Sequence, residues 1–205
     1  EETMIKAFKE GKDLHRFTAS LILGKNYSEI TKEERQMAKA INFGLIYGIS
    51  PRSLMVYAKN NYGIDISLKD AQAFHRRFFD VYKGFKNWHE ETKKQLEEHR
   101  RIAVYSLLGR RMFVSRFTDA VNYPIQATGS DILKMAVVFF GRFSKGMDAF
   151  IVNLVHDEIV VECDEKISDK AVEILSNSMK KAGEILLKKV PVEFEIEKVK
   201  HWGEK

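Results

Sequence analysis

The pattern of apolar and polar positions predicts a helical first half of the chain. Helical periodicity gives predicted helices at about 3–10, 14–23, 31–47, 50–62, 67–81 and 84–99. Asp13 is placed to cap the second helix, and Thr31 with Glu34 forms a capping box, the sequence signature of a helix start. Pro51 follows Ser50, and proline is tolerated in the first turn because its missing N–H would have no partner there.

The second half of the chain is dominated by short runs that are rich in β-branched residues or alternate in polarity. Strands are predicted at 102–107, 112–114, 150–155, 159–163 and 192–199, with helices at about 126–144 and 167–188. The first two strands flank Gly109 and the next two flank a polar tripeptide, so both pairs are predicted hairpins, and the last run is a predicted edge strand. Helices followed by a small antiparallel sheet with helices indicate an α+β fold, with a boundary near residues 100 and 101.

Composition allows one large domain or two small ones, because 44% of the 205 residues are apolar. No apolar run approaches the roughly 20 residues of a membrane-spanning helix. The chain starts at Glu1 without a signal peptide, and we expect it to be cut from a longer protein. The single cysteine, Cys163, excludes an internal disulfide and indicates a buried strand thiol in a reducing intracellular compartment. The net charge of +5 favours a polyanionic partner.

One predicted helix carries cations and aromatic rings in a regular array. Arg35, Lys39, Phe43 and Tyr47 are spaced four residues apart and therefore share one face of the helix. Two cations followed by two rings suit a nucleoside triphosphate, because cations bind phosphates and rings lie against sugar and base. The alternative is an amphipathic core helix whose long basic side chains reach solvent.

Two adjacent carboxylates lie between the strands of the second hairpin. His156, Asp157 and Glu158 separate two apolar runs, and like charges in a tight turn are unfavourable unless a cation or water compensates them. Carboxylates that hold two Mg²⁺ ions are common in phosphoryl transfer. A plain polar turn and a His-Asp phosphohydrolase pair are the competing interpretations.

These strings together resemble the DNA polymerase I-like family A of DNA polymerases. The helix matches motif B, with Arg35, Lys39, Phe43-Gly44 and Tyr47-Gly48, and the acidic turn matches motif C. The stretch 122–126, Asn-Tyr-Pro-Ile-Gln, resembles the family string before a palm helix. The resemblance covers nearly the whole chain and implies helical fingers over 1–100 and part of the palm over 101–205.

The resemblance implies template-directed DNA synthesis with Mg²⁺, and it implies a role for each matching residue. The implied nucleotide-binding residues are His15, Arg35, Lys39, Phe43 and Tyr47. The implied metal ligand is Asp157, and the implied catalytic residues are Asp157, Glu158 and Lys39. The implied contacts to primer–template DNA are Asn122, Gln126, His156, Arg110 and Arg111, although a solvated basic turn also explains the two arginines.

The sequence also departs from the family pattern. Residues 127–131 read Ala-Thr-Gly-Ser-Asp where the family usually has Gly-Thr-Ala-Ala-Asp, and the interval from Arg111 to Asn122 is short. No string resembles motif A, which carries the second metal-binding aspartate, so we expect an upstream segment to supply that aspartate and the thumb. A non-catalytic nucleic-acid-binding remnant of a polymerase is the alternative function. A helical interaction protein with solubilising charges is a further, weaker alternative.

Overall fold

The computed structural model describes residues 1–204, which form two compact units. The first unit comprises residues 1–104 and 112–123, and the second comprises residues 105–111 and 124–204. The helices are α1 Glu2–Lys9, α2 Leu14–Leu23, α3 Lys32–Ile46, α4 Pro51–Tyr62, α5 Leu68–Val81, α6 Lys83–His99, α7 Phe117–Phe143 and α8 Ser168–Leu186. The strands are β1 Ile102–Tyr105, β2 Arg111–Val114, β3 Ala149–Val155 and β4 Glu158–Cys163. The α+β prediction is confirmed.

The helix starts predicted from capping residues are also confirmed. Asp13 Oδ1 accepts a hydrogen bond from the backbone N–H of Arg16 at 2.7 Å at the start of α2. At the start of α3, Thr31 Oγ1 accepts from the Glu34 N–H at 3.2 Å, and Glu34 Oε2 accepts from the Thr31 N–H at 3.0 Å. Each bond satisfies an N–H group that a helix terminus otherwise leaves without a partner.

The core of the first unit forms where α3 packs against its neighbouring helices. Leu45 of α3, Leu54 of α4 and Phe78 of α5 are each 0% exposed. Tyr82 at the end of α5 is equally buried, and its hydroxyl hydrogen-bonds the Thr18 hydroxyl of α2 at 2.7 Å. Burial of these side chains fixes which face of α3 points inward.

The second unit contains the hairpin of β3 and β4, which covers a core shared with α7 and α8. The strands are antiparallel, with Val155 opposite Glu158 at the turn and Ala149 opposite Cys163 at the other end. A register shift between Ile151 and Asn153 marks a bulge in β3. Cys163 is half-buried and not fully buried. None of the helices within residues 1–204 combines the length and the apolar character of a membrane-spanning segment.

Helix α7 is longer than its sequence predicted. The predicted helix at 126–144 begins instead at Phe117 and contains Pro124. Proline predicts a helix boundary because it cannot donate the backbone hydrogen bond and crowds the preceding turn. The helix nevertheless continues through Pro124, because the residues before it are tied into the first unit, where Ala120 and Val121 are 1% and 0% exposed.

The predicted edge strand at 192–199 is wrong, because this segment forms neither a strand nor a helix. The alternation of apolar and charged residues is still seen in their burial, since Val192, Phe194 and Ile196 are half-buried and the residues between them are exposed. A strand also needs a hydrogen-bonded neighbour. Within the described chain, each of the two sheets has two strands, and neither includes this segment.

Candidate functional site

The four predicted nucleotide-binding positions of the helix lie on the accessible side of α3. Phe43 is 39% exposed, and Arg35, Lys39 and Tyr47 are half-exposed. Burial falls on other positions of the helix, with Ala38, Ile41 and Leu45 at 0%, 1% and 0% exposure. The helix is thus amphipathic, with its basic and aromatic side chains outside the core.

Arg35 is held by Asp13, a residue that the sequence indicated only as a helix cap. Arg35 Nε and Nη2 donate to Asp13 Oδ2 at 2.9 and 2.6 Å. Burial raises the pKa of Asp13, but the hydrogen bonds from Arg35 and from the Arg16 backbone outweigh burial and leave that pKa below its ordinary value. One carboxylate therefore caps α2 and fixes the guanidinium of α3.

His15 lies against the same face of α3. Its Nδ1 is 3.0 Å from the amide Nδ2 of Asn42, and its ring centroid is 5.6 Å from that of Phe43. Burial lowers the pKa of His15, the charge of Asp13 opposes this, and the charges of Arg35 and Lys39 lower it further. This lowering of the pKa favours the neutral form of His15, which lies beside two cations and an aromatic ring.

Asn42 was not predicted from the sequence. It is buried, at 3% exposure, on a helix whose other buried positions are mostly apolar. Its Oδ1 has no hydrogen-bond partner among residues 1–204. The only signal for Asn42 was a polar residue at a core position of the helix, which marks a side chain that needs a specific partner.

The carboxy-terminal end of α3 is packed tightly by other elements of the first unit. Gly48 has a φ of +77°, and a Cβ at this position would lie 2.5 Å from Cε1 of Phe117. The His89 Nε2 of α6 donates to the carbonyl oxygen of Ile46 at 3.0 Å, and burial is the main cause of its lowered pKa. Gly48 therefore leaves the space that the ring of Phe117 occupies.

Of the three residues of the acidic turn, His156 and Asp157 connect β3 to β4, and Glu158 is the first residue of β4. His156 has a φ of +54°, and a positive φ is typical of two-residue hairpin turns. Asp157 is exposed, while Glu158 Oε1 accepts a hydrogen bond from the indole Nε1 of Trp202 at 3.0 Å. Carboxylate oxygens are ligands that Mg²⁺ prefers, so the turn suits a cation chemically. Among residues 1–204, however, no three side chains of metal-binding type lie close enough together to hold one.

The residues predicted to contact DNA differ in their exposure and in their partners. Arg110 Nη2 forms an ion pair with Asp131 Oδ1 at 2.8 Å and donates a hydrogen bond to the Ala127 carbonyl oxygen at 3.0 Å, so this arginine is tied to α7. Arg111 and Gln126 are exposed. Asn122 is half-exposed as a residue, and its Oδ1 is buried without a hydrogen-bond partner in the described chain.

Comparison with known proteins identifies the relatives of this chain. The family model "DNA polymerase family A" matches residues 1–204. A DNA polymerase I of Aquifex aeolicus is 58% identical over 194 residues, which is 94% of this chain and 34% of that protein. The thermostable DNA polymerase I of Thermus filiformis is 32% identical over an alignment of 217 positions, which covers 100% of this chain and 25% of that protein.

A solved structure shares the fold. It is the POL domain of Pol1 from M. smegmatis in complex with DNA primer-template and dNTP, with a TM-score of 0.78 and 29% identity over 93% of this chain and 34% of that one. This chain thus spans about a third or less of the relatives that it matches. Since the family model covers every described residue, the chain belongs to DNA polymerase family A.

Proposed function

We propose that this chain is part of an enzyme that carries out template-directed DNA synthesis inside the cell. The observation that carries the proposal is the cluster of His15, Arg35, Lys39 and Phe43 on the accessible face of α3. The relatives named DNA polymerase I and the M. smegmatis domain bound to primer-template and dNTP support it. In the proposed reaction, the primer 3′-hydroxyl attacks the α-phosphate of a deoxynucleoside triphosphate and pyrophosphate leaves.

Each residue of the cluster would contact a different part of the nucleotide. The Arg35 fork and the Lys39 ammonium would bind phosphate oxygens and stabilise the charge that develops on the leaving pyrophosphate. His15 would add a hydrogen bond to the phosphates, and the accessible ring of Phe43 would lie against the sugar. Tyr47, at the end of α3, would lie near the templating base.

The acidic turn would contribute to the binding of Mg²⁺. Asp157 would be a ligand, with Glu158 as a nearby acidic residue, and an upstream segment would supply the second aspartate. Bound divalent ions would activate the attacking oxygen and neutralise the leaving one. The primer–template would contact Asn122, Gln126, His156 and the turn that contains Arg111. The ion pair of Arg110 with Asp131 supports a role for that arginine in holding the turn in place.

Replacing Lys39 tests the proposal. In the complete polymerase that contains this chain, Lys39→Ala should reduce single-nucleotide incorporation by about 100-fold, since a charge-assisted phosphate contact is lost from the transition state. Binding of primer–template should stay nearly unchanged. Lys32→Ala is the matched control, because Lys32 is an exposed lysine at the first position of the same helix.

Two outcomes would reject the proposal in different ways. Near-normal incorporation by the Lys39→Ala variant would show that Lys39 of α3 takes no part in the reaction. A wild-type protein that binds primed DNA but incorporates no nucleotide in the presence of Mg²⁺ would establish the non-catalytic remnant instead.

A further inference from the structure

The contact between Asn42 and His15 determines which ring nitrogen of the histidine carries the proton. The Asn42 Nδ2 group can only donate a hydrogen bond, and it lies 3.0 Å from His15 Nδ1. The Nδ1 atom must therefore accept, so in the neutral ring the single proton lies on Nε2. Within residues 1–204, Nδ1 is the only nitrogen of this ring with a hydrogen-bond partner, which leaves the Nε2–H available for a ligand.

The charges around His15 favour a neutral ring. Asp13 precedes it at the cap of α2, and Arg35 and Lys39 face it from α3. Burial and these two cations act against protonation, and together they outweigh Asp13. A neutral ring with its proton on Nε2 can donate a hydrogen bond without adding a third positive charge beside the two basic side chains.

We propose that Asn42 is a positioning residue that holds neutral His15 in the Nε2–H tautomer, so that His15 meets a phosphate oxygen of the incoming nucleotide as a donor. The nucleotide contact rests on the function proposed above, whereas the tautomer does not. The buried Asn42 Oδ1 lacks a partner, and an unpaired buried oxygen is unfavourable. The hydrogen bond to His15 Nδ1 is therefore the contact that compensates burial of the Asn42 amide.

If the side-chain amide of Asn42 had the reverse orientation, the opposite tautomer of His15 would be expected. With Asn42 Oδ1 toward the ring, Nδ1–H would donate and Nε2 would be a bare acceptor, which repels phosphate oxygens. The position of one proton therefore decides between the two arrangements.

Nitrogen-15 NMR of the full chain with labelled histidine measures that position directly. The chain has six histidines, and a His15→Ala variant assigns the signal of His15. At pH 8 we expect an unprotonated Nδ1 and a protonated Nε2 in the wild type. In Asn42→Asp, the carboxylate can only accept, so the proton should move to Nδ1 and the ring should titrate at higher pH.

The wild-type spectrum alone can overturn the proposal, whether or not a variant folds. A proton on Nδ1, or an even mixture of tautomers, would show that Asn42 does not set the ring. An Asn42→Leu variant, which keeps the volume but removes the donor, should shift the ring toward a mixture. An unchanged tautomer in this variant would also overturn the proposal.

A kinetic arm tests the nucleotide contact separately. In the complete polymerase, Asn42→Asp should raise the KM for dTTP opposite a templating dA about tenfold at pH 8, as loss of a charge-assisted hydrogen bond predicts. In a His15→Ala background, the same substitution should add little, because the two residues act as a unit. The expected tautomer combined with an unchanged KM would overturn the phosphate contact and leave the synthesis reaction to the Lys39→Ala test.

Discussion

At the scale of the residue, Asp13 links the folding of the first unit to its candidate chemistry. One oxygen of its carboxylate caps α2, and the other accepts two hydrogen bonds from Arg35. The guanidinium offers a planar fork that matches a carboxylate or a phosphate equally well. Asp13 and a nucleotide phosphate would therefore compete for the same donors.

Neutralising Asp13 should reveal that competition. Asparagine caps a helix about as well as aspartate, so Asp13→Asn should keep α2 intact while weakening the hold on Arg35. We expect the KM for dNTP in the complete polymerase to fall a few-fold, with less than about 1 kcal/mol lost in the free energy of unfolding because the pair is partly exposed.

A neighbouring surface pair provides the control for Asp13. Glu10 pairs with Lys12 at 2.7 Å, and Glu10→Gln removes a similar charge without touching α3. The KM of this variant should equal that of the wild type. A higher KM in Asp13→Asn would mean that the carboxylate pre-orients Arg35 for phosphate, and that the two do not compete.

At the scale of the element, local sequence rules predicted most boundaries because the deciding contacts are local. The capping box of α3 involves residues three apart, and the hairpin turns are equally short-range. The rules failed where distant packing decides. Helix α7 continues through Pro124, and residues 192–199 alternate like a strand but have no partner strand in the described chain.

The candidate site, like the element boundaries, was predictable where local spacing decides the arrangement. Helical spacing alone placed Arg35, Lys39 and Phe43 on one face, and the structure shows that face outside the core. The partners of these residues were not predictable, because they come from another helix. Arg35 meets Asp13 across 22 residues, and Asn42 meets His15 across 27. No local pattern contains such pairs.

The end of α3 offers a quantitative test of long-range packing. Gly48 and Gly63 both adopt a positive φ, at +77° and +67°, so alanine should strain both backbones by about 1 kcal/mol. A Cβ at Gly48 would also meet the ring of Phe117 at 2.5 Å, whereas a Cβ at Gly63 has no atom within 4 Å. Gly48→Ala should therefore lower the free energy of unfolding by a further 1–3 kcal/mol, roughly the effect of overpacking.

Urea denaturation of the two alanine variants measures this difference. Combining Gly48→Ala with Phe117→Leu should recover part of the loss, since leucine lacks the ring atoms that cause the clash. Equal losses at Gly48 and Gly63 would show that the ring of Phe117 moves aside without penalty, and that α3 is not fixed at this end.

At the scale of the whole molecule, the net charge of +5 favours association with a polyanion. Individual basic residues nevertheless differ in what they can contribute. Arg110 forms an ion pair with Asp131, whose side chain is only 5% exposed, so part of its charge is neutralised inside the second unit. Its neighbour Arg111 is exposed at the start of β2.

These two arginines should separate DNA binding from stability. The logarithm of the binding constant for primer–template should fall linearly with the logarithm of salt concentration, because each phosphate contact releases counterions. In the complete polymerase, Arg111→Ala should lower that slope by about 1, as expected for a single phosphate contact, and should weaken binding to all DNA sequences alike.

Arg110→Ala should lower the free energy of unfolding by about 1–3 kcal/mol, since the buried carboxylate of Asp131 loses its partner. Fluorescence anisotropy over about 50–200 mM KCl measures the slope, and urea denaturation measures the stability. A slope that changes only in Arg110→Ala would reverse the two assignments, because the arginine that contacts DNA would then be the one that also supports the fold.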